Sequence, residues 1–165
     1  MPFARLRSVV LLAALALSAC DSSDFGETRV DGQYTVTALM FDPQPGALGN
    51  VDVLSRLEVG STSMTFAGSS RSYVLTFRFA GEASQYLVSG RYETSGATSV
   101  VVSFSGSDRR RLLLPAEARF RFDETAGTLT YQGPLTNVNL AEYDPQQYGG
   151  LNAVDGTLTF TLQRR

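Results

Sequence analysis

The sequence predicts an all-β domain, an antiparallel up-and-down β-barrel of eight or nine strands, with a β-sandwich as the alternative arrangement. Three features of the 165 residues carry that prediction. From residue 30 onward, apolar and polar side chains alternate with period two, as they do in strands buried on one face. The alternating runs are short and punctuated by clusters of Gly, Ser, Asp, Asn and Pro. Most of these clusters are hairpin-sized, which sets sequence neighbours antiparallel.

The strands follow in order. Tyr34, Val36, Ala38 and Met40 fall on one face of the first. Met64 and Phe66 share a face of the next clear strand, and Gly68 to Ser70 turns into one carrying Tyr73, Leu75, Phe77 and Phe79, with Ser72, Thr76 and Arg78 opposite. Tyr86, Val88, Gly90 and Tyr92 continue the pattern, then Val100, Val102 and Phe104, then Phe120 and Phe122, Leu129 and Tyr131, and finally Leu158, Phe160 and Leu162. Arg110 to Leu114 reads as a candidate ninth strand. Gly81 to Ser84, Ser95 to Ala97, Ser105 to Asp108 and Glu124 to Gly127 read as hairpin connections. Two connections are longer, Asp42 to Asp52 and Gly133 to Asp155. Val53, Leu54 and Leu57 stand at helical spacing, so a helical turn competes with a strand there, and Asn139 to Tyr148 reads as a short helix or ordered loop. A barrel is preferred over a sandwich because closure leaves no open edge.

Residues 1–20 are of a different character. Arg5 and Arg7 precede an unbroken apolar run of nine from Val9 to Leu17, and small residues lead to the only cysteine. This is the three-part layout of a secretory signal, and the run is far shorter than the about 20 residues a membrane-spanning helix needs. Leu17, Ser18, Ala19 and Cys20 resemble the lipobox of bacterial lipoproteins at all four positions. The resemblance implies cleavage before Cys20 and attachment of acyl chains to it, each buried methylene adding about 0.8 kcal/mol of membrane affinity. It further implies a cell-envelope protein held on the periplasmic or surface face of a membrane. The expected organisation is then a signal peptide over 1–19, a lipidated anchor and flexible tether over 20–29, and one barrel domain over 30–165. Asp21 to Thr28 is short, polar and acidic, as suits a tether.

The first strand opens with Asp31, Gly32, Gln33 and Tyr34, which resembles the Gly-x-Trp opening of lipocalin-like proteins with Tyr in place of Trp. That resemblance implies a barrel able to hold a small hydrophobic ligand. It also implies a basic residue near the last strand covering the Tyr34 ring, for which Arg164 or Arg165 is placed.

Composition narrows the chemistry. The chain has no His, all fourteen of its cations are Arg, and its net charge is −2. Without His or Lys there is no imidazole base, imidazole-ligated metal, Schiff base or P-loop lysine. The near-neutral balance argues against a nucleic-acid partner. Carboxylates are the remaining acids and bases, and Asp42 with Asp52, or Glu142 with Asp144, would have to face one another across a cleft to work as a pair. No surrounding motif supports this and no calcium-loop pattern is present, so the expectation is a non-enzyme without cofactor or metal.

Binding is the remaining class. Tyr73, Phe77, Tyr86, Tyr92, Phe104, Phe120 and Tyr131 lie on the apolar face and would line a ligand pocket if the barrel is hollow, or fill its core if it is not. Arg109, Arg110 and Arg111, with Arg119 and Arg121, read as an anion-binding patch or as a solvated face offset by Asp108, Glu117, Asp123 and Glu124. Tyr143, Pro145 and Tyr148 form either an exposed recognition element or a plug across one barrel end. The expectation is a monomeric, lipid-anchored barrel that carries a small apolar molecule. The alternative is an envelope interaction module with a filled core and its binding surface on the long loops.

Overall fold

The computed structural model describes residues 30–44 and 48–165; the expected signal segment, Cys20 and the expected tether lie outside them. The strands are β1 (Gly32–Gln44), β2 (Val51–Asp52), β3 (Ser63–Ala67), β4 (Ser72–Phe77), β5 (Tyr86–Ser95), β6 (Ser99–Phe104), β7 (Glu117–Asp123), β8 (Thr128–Val138) and β9 (Val154–Arg164). They form one sheet in the order β2-β1-β3-β4-β5-β6-β7-β8-β9, and β9 pairs back onto β1. Every pairing is antiparallel. Eight strands therefore close a meander barrel, with β2 as an added short strand, and the sandwich alternative is set aside.

β1 serves as the closing stave. On one side its first residues, Gly32 to Thr35, pair with β3, while Met40 and Phe41 pair with β2. On the other it pairs with β9 from Tyr34 to Gln44, with a bulge between Val36 and Ala38. The bulge inserts one residue and moves the following side chains to the opposite face. Tyr34 and Val36 point inward as expected, but Leu39 and Phe41 replace the expected Ala38 and Met40 in the core.

Three further expectations are corrected. Arg110 to Leu114 is not a strand: Asp108–Arg111 is a helical turn, and Leu112, Leu113 and Leu114 fold inward behind it, all buried. Ser105 to Asp108 is accordingly only the start of a connection that reaches residue 116. The second long connection is shorter than expected, because β8 runs on to Val138, and the first starts later, because β1 runs on to Gln44. The helical turns anticipated after the first and within the second are present, at Val53–Arg56, Leu140–Tyr143 and Pro145–Tyr148.

The interior is filled by rings laid over glycines. Tyr73 crosses the backbone of Gly90 on the neighbouring strand to donate to the Ser103 carbonyl at 3.0 Å on the strand beyond. A Cβ at Gly90 would collide with that carbonyl and lie 2.9 Å from the Tyr73 hydroxyl. Tyr131 lies against Gly133 and Phe41 against Gly156 in the same manner. All three glycines occupy inward positions in the alternation, so each missing side chain is the space that a neighbouring ring uses.

Up-and-down connectivity sorts the connections by length. One end of the barrel carries the turns 68–71, 96–98 and 124–127, and the chain arrives at this end through Val30. The other carries the connections 48–62, 78–85, 105–116 and 139–153.

Candidate functional site

The seven aromatics expected to line a pocket fall into two clusters of packed rings. A continuous file of rings runs Tyr92, Phe66, Tyr73, Phe104, Phe160, Phe120, Tyr131, with successive centroids 5.1, 6.1, 5.5, 6.4, 5.3 and 5.8 Å apart. Phe77 and Tyr86 stack at 5.5 Å near the loop end, both against Phe79. All seven except the half-buried Tyr86 are buried. Burial raises the pKa of Tyr73 and Tyr131 above the ordinary tyrosine value. These are core side chains, and the clefts on the surface are lined by others.

At the tight-turn end Arg164 takes the place the lipocalin-like resemblance implies. Its guanidinium carbon is 5.7 Å from the Tyr34 ring centroid and it donates to the Asp31 carbonyl. Asp31 in turn accepts from the Tyr92 hydroxyl at 3.2 Å, so one residue before β1 ties both sides of the end together. Burial raises the Tyr34 pKa, countered in part by the Arg164 charge.

The loop end is closed by arginines on rings. Arg111 lies 4.4 Å from the Phe79 centroid and 4.1 Å from that of Tyr86, and pairs with Glu82 at 3.4 Å. Arg56 lies 5.8 Å from Phe79 and 4.9 Å from Tyr143, donates to the Tyr143 carbonyl and meets Asp144 at 3.7 Å. Tyr143 donates to the Asp52 carbonyl at 3.1 Å. Burial raises the Tyr143 pKa, with Arg56 pulling against it. Tyr143 and Tyr148 are thus buried parts of a plug, and Pro145 alone of that trio is exposed. The arginine run belongs to the plug as well: Arg110 pairs with Glu142 at 3.4 Å and Arg109 donates to the Leu114 carbonyl at 2.8 Å.

The expected carboxylate pairs have structural partners. Asp52 accepts from the Leu54 amide at 3.0 Å and Asp144 from those of Gln146 and Gln147, both at 3.0 Å, as helix-capping residues do. Asp42 sits in the β1–β9 ladder opposite Thr157.

A cleft of about 850 Å³ opens at the loop end. Its walls are the 109–116 and 134–139 segments, with Leu151 to Ala153 completing it. Leu113, Leu114, Leu135, Val138 and Leu151 contribute apolar surface to a lining that is mostly polar, with Arg109, Asn137, Asn139 and Asn152 among its polar groups. Leu151 is 43% exposed. Two non-glycine residues on facing walls, Leu113 and Asn137, have φ of 56°. That left-handed conformation costs a leucine about 1–2 kcal/mol, which the surrounding packing must hold in place. The leucine run shows no alternation and suggests a strand, so the sequence pattern does not reveal this cleft; Pro115 and Pro134, one on each wall, are the available signal.

Below the cleft the barrel wall is partly unzipped. Among the described residues, β7 and β8 pair only at Arg121, Phe122 and Asp123. Continuing that register would set Arg119 opposite Gln132 and Glu117 opposite Pro134, which has no N–H to give. Beyond it β8 bulges toward β9, where the Asn137 amide donates to Asp155 at 2.8 Å. Phe120 and Tyr131 meet across the gap on the inside, so the core stays covered. No protein-family model matches this chain, and no curated protein sequence matches it.

Proposed function

We propose that this protein is a lipid-anchored binding module of the bacterial cell envelope, a filled barrel that presents the loop-end cleft to a partner. In this reading Cys20 carries the acyl chains and residues 20–29 are the tether. The observation that carries it is the separation of ends: the chain arrives at the tight-turn end, while every long connection and the 850 Å³ cleft lie at the opposite one. A tether on Val30 would hold the tight turns toward the lipid and the cleft toward whatever approaches. Carriage of a small apolar ligand inside the barrel, the lipocalin-like function, is the less supported reading, because the side chains that would line such a pocket are packed on one another. The module is read as non-catalytic, with its carboxylates used as caps and ion-pair partners.

Expression in a bacterial host with radiolabelled palmitate tests the anchor. Labelled protein in the membrane fraction is expected for the natural chain, and Cys20→Ser should abolish labelling and shift the protein out of that fraction. Unchanged membrane partition of the variant would overturn the lipoprotein reading. Native mass spectrometry of the purified protein separates the two binding modes: a retained lipid lost on Phe104→Trp but kept on Leu151→Arg would return the site to the interior.

A further inference from the structure

Resting on the binding-module reading, we propose that the loop-end cleft takes an uncharged peptide segment of a partner protein, held by side-chain amides and seated on an exposed leucine. The charged groups of the lining are engaged within the protein: Arg110 pairs with Glu142 at 3.4 Å, and the Arg109 guanidinium donates to the Leu114 carbonyl at 2.8 Å. The lining carries Arg109 and Arg110 against Glu142, a surplus of one positive charge, while Asp108, Glu117 and Asp155 flank it. The sign of the charge therefore changes across the width of the cleft, and neither a basic nor an acidic guest is matched throughout. What remains to bond a guest is neutral: the amides of Asn137, Asn139 and Asn152 and the hydroxyl of Thr136, all on exposed residues. The Asn139 oxygen accepts from the Ala141 amide at 3.1 Å, which leaves its NH2 for the guest.

An amide side chain carries a donor and an acceptor side by side, as a peptide unit does, so such side chains can bond the backbone N–H and C=O groups of a guest. The exposed Leu151 stands among them with the exposed Pro134 and the half-buried Pro115 and Val138, a seat for one aliphatic side chain. Among the described residues no aromatic ring lines the cleft, which leaves a sugar without a face to stack on. Its volume of about 850 Å³ falls within the roughly 300–1,000 Å³ of ligand pockets. Backbone conformation marks the same place. Of the three non-glycine residues with left-handed φ among the described residues, Leu113 and Asn137 are on facing walls of the cleft and Arg71 is at the tight-turn end. Such conformations persist only where the surroundings hold them, and they gather at ligand clamps.

The test selects random heptapeptides displayed on phage against the full chain in detergent micelles. Enriched peptides are expected to be uncharged, to carry an aliphatic residue, and to shift the backbone amide resonances of Asn137, Asn139 and Leu151 when titrated into isotope-labelled protein. Leu151→Arg, at an exposed position, should weaken them about tenfold with the melting temperature unchanged. Glycine adopts a left-handed φ without strain and keeps the backbone N–H that bonds Asp155, so Asn137→Gly should hold or raise the melting temperature while weakening the peptides about tenfold through the lost amide. The trimer of N-acetylglucosamine, titrated in the same way, should leave the cleft amides unmoved. Enriched peptides dominated by one sign of charge, yet lost on Leu151→Arg, would overturn the uncharged class and keep the loop-end module. Peptides that bind the Leu151→Arg variant equally well, or no enrichment at all, would overturn the cleft as a peptide site; shifts caused by the sugar trimer would then keep the module with a glycan guest, and their absence would overturn the module reading as well. Failure of palmitate labelling would overturn the anchor without touching the cleft.

Discussion

The two ends of the barrel solve the same problem with different means. The tight-turn end is shut by short turns and one arginine, Arg164, lying over Tyr34 and bonded to the backbone before β1. The loop end needs two arginines on rings, Arg56 and Arg111, the rings of Phe79, Tyr86 and Tyr143, and four helical turns, and it still leaves a cleft and a ladder between β7 and β8 that stops short. Short turns satisfy their own backbone, so little else is required of side chains there. Long connections bring apolar residues and unpaired backbone to one place, and closing over them requires stacked cations, caps and buried hydroxyls. What is left over at that end is an open cleft.

Both ends rest on the ring file between them, and breaking it has the largest expected effect. Phe104→Asp puts an unpaired carboxylate among Tyr73 and Phe160 and should cost about 4 kcal/mol or more, unfolding the domain in a chemical denaturation experiment. A folded variant with unchanged midpoint would mean that Phe104 does not face the core.

Raising the pH tests the ends together. Tyr34 at the tight-turn end, Tyr73 and Tyr131 in the core and Tyr143 at the loop end all have pKa values raised by burial above the ordinary value of 10.0. A folded pKa above the unfolded one means that the native state holds its protons longer, so the contribution is complete below pH 10 and is lost as pH climbs through the interval up to the folded values. Stability should therefore fall steeply above about pH 10, with tyrosinate absorbance and loss of tertiary structure rising together. Independent ionisation of all tyrosines at the ordinary pKa in a still-folded protein would contradict this.

Gly90→Ala should cost about 1–3 kcal/mol by overpacking, because the new methyl meets the Ser103 carbonyl and the Tyr73 ring. The cost should shrink on a Tyr73→Ala background if the close approach to the ring is its cause, a non-additivity that thermal melts can read. The smallest effect sharpens the comparison of ends: Arg111→Ala should cost about 0.5–2 kcal/mol through its lost contacts with Phe79 and Tyr86. Its amide exchange should quicken over 78–85 and 105–116 while the turns 68–71 and 124–127 stay protected. Arg164→Ala should give the reverse map.

The strand faces were legible because period-two alternation is a direct image of one-sided burial: Tyr73, Leu75 and Phe77 on β4, or Val100, Val102 and Phe104 on β6, are read from spacing alone and are all buried. Alternation fails where the backbone inserts a residue. The bulge at Val36 and Ala38 turns Leu39 and Phe41 inward, and nothing in the composition of that segment marks it. It fails again at Leu112 to Leu114, where three consecutive leucines are buried by folding over the end of the barrel rather than by standing in a sheet. The candidate site was hidden for a related reason. It is made of missing contacts, a proline where a donor would be needed and a ladder that stops, and side-chain patterns do not record an interrupted ladder.

The longest ladder of β1 is with β9, so the first and last strands of the domain are neighbours although more than a hundred residues separate Tyr34 from Arg164. Such distant pairing is slow to form and cannot begin until the C-terminal residues have been synthesised. A chain released before Val154 would present two bare strand edges, those of β1 and β8, each a template for joining another copy. The eleven residues of β9, Val154–Arg164, therefore decide whether the product is a sealed cylinder or material prone to clump.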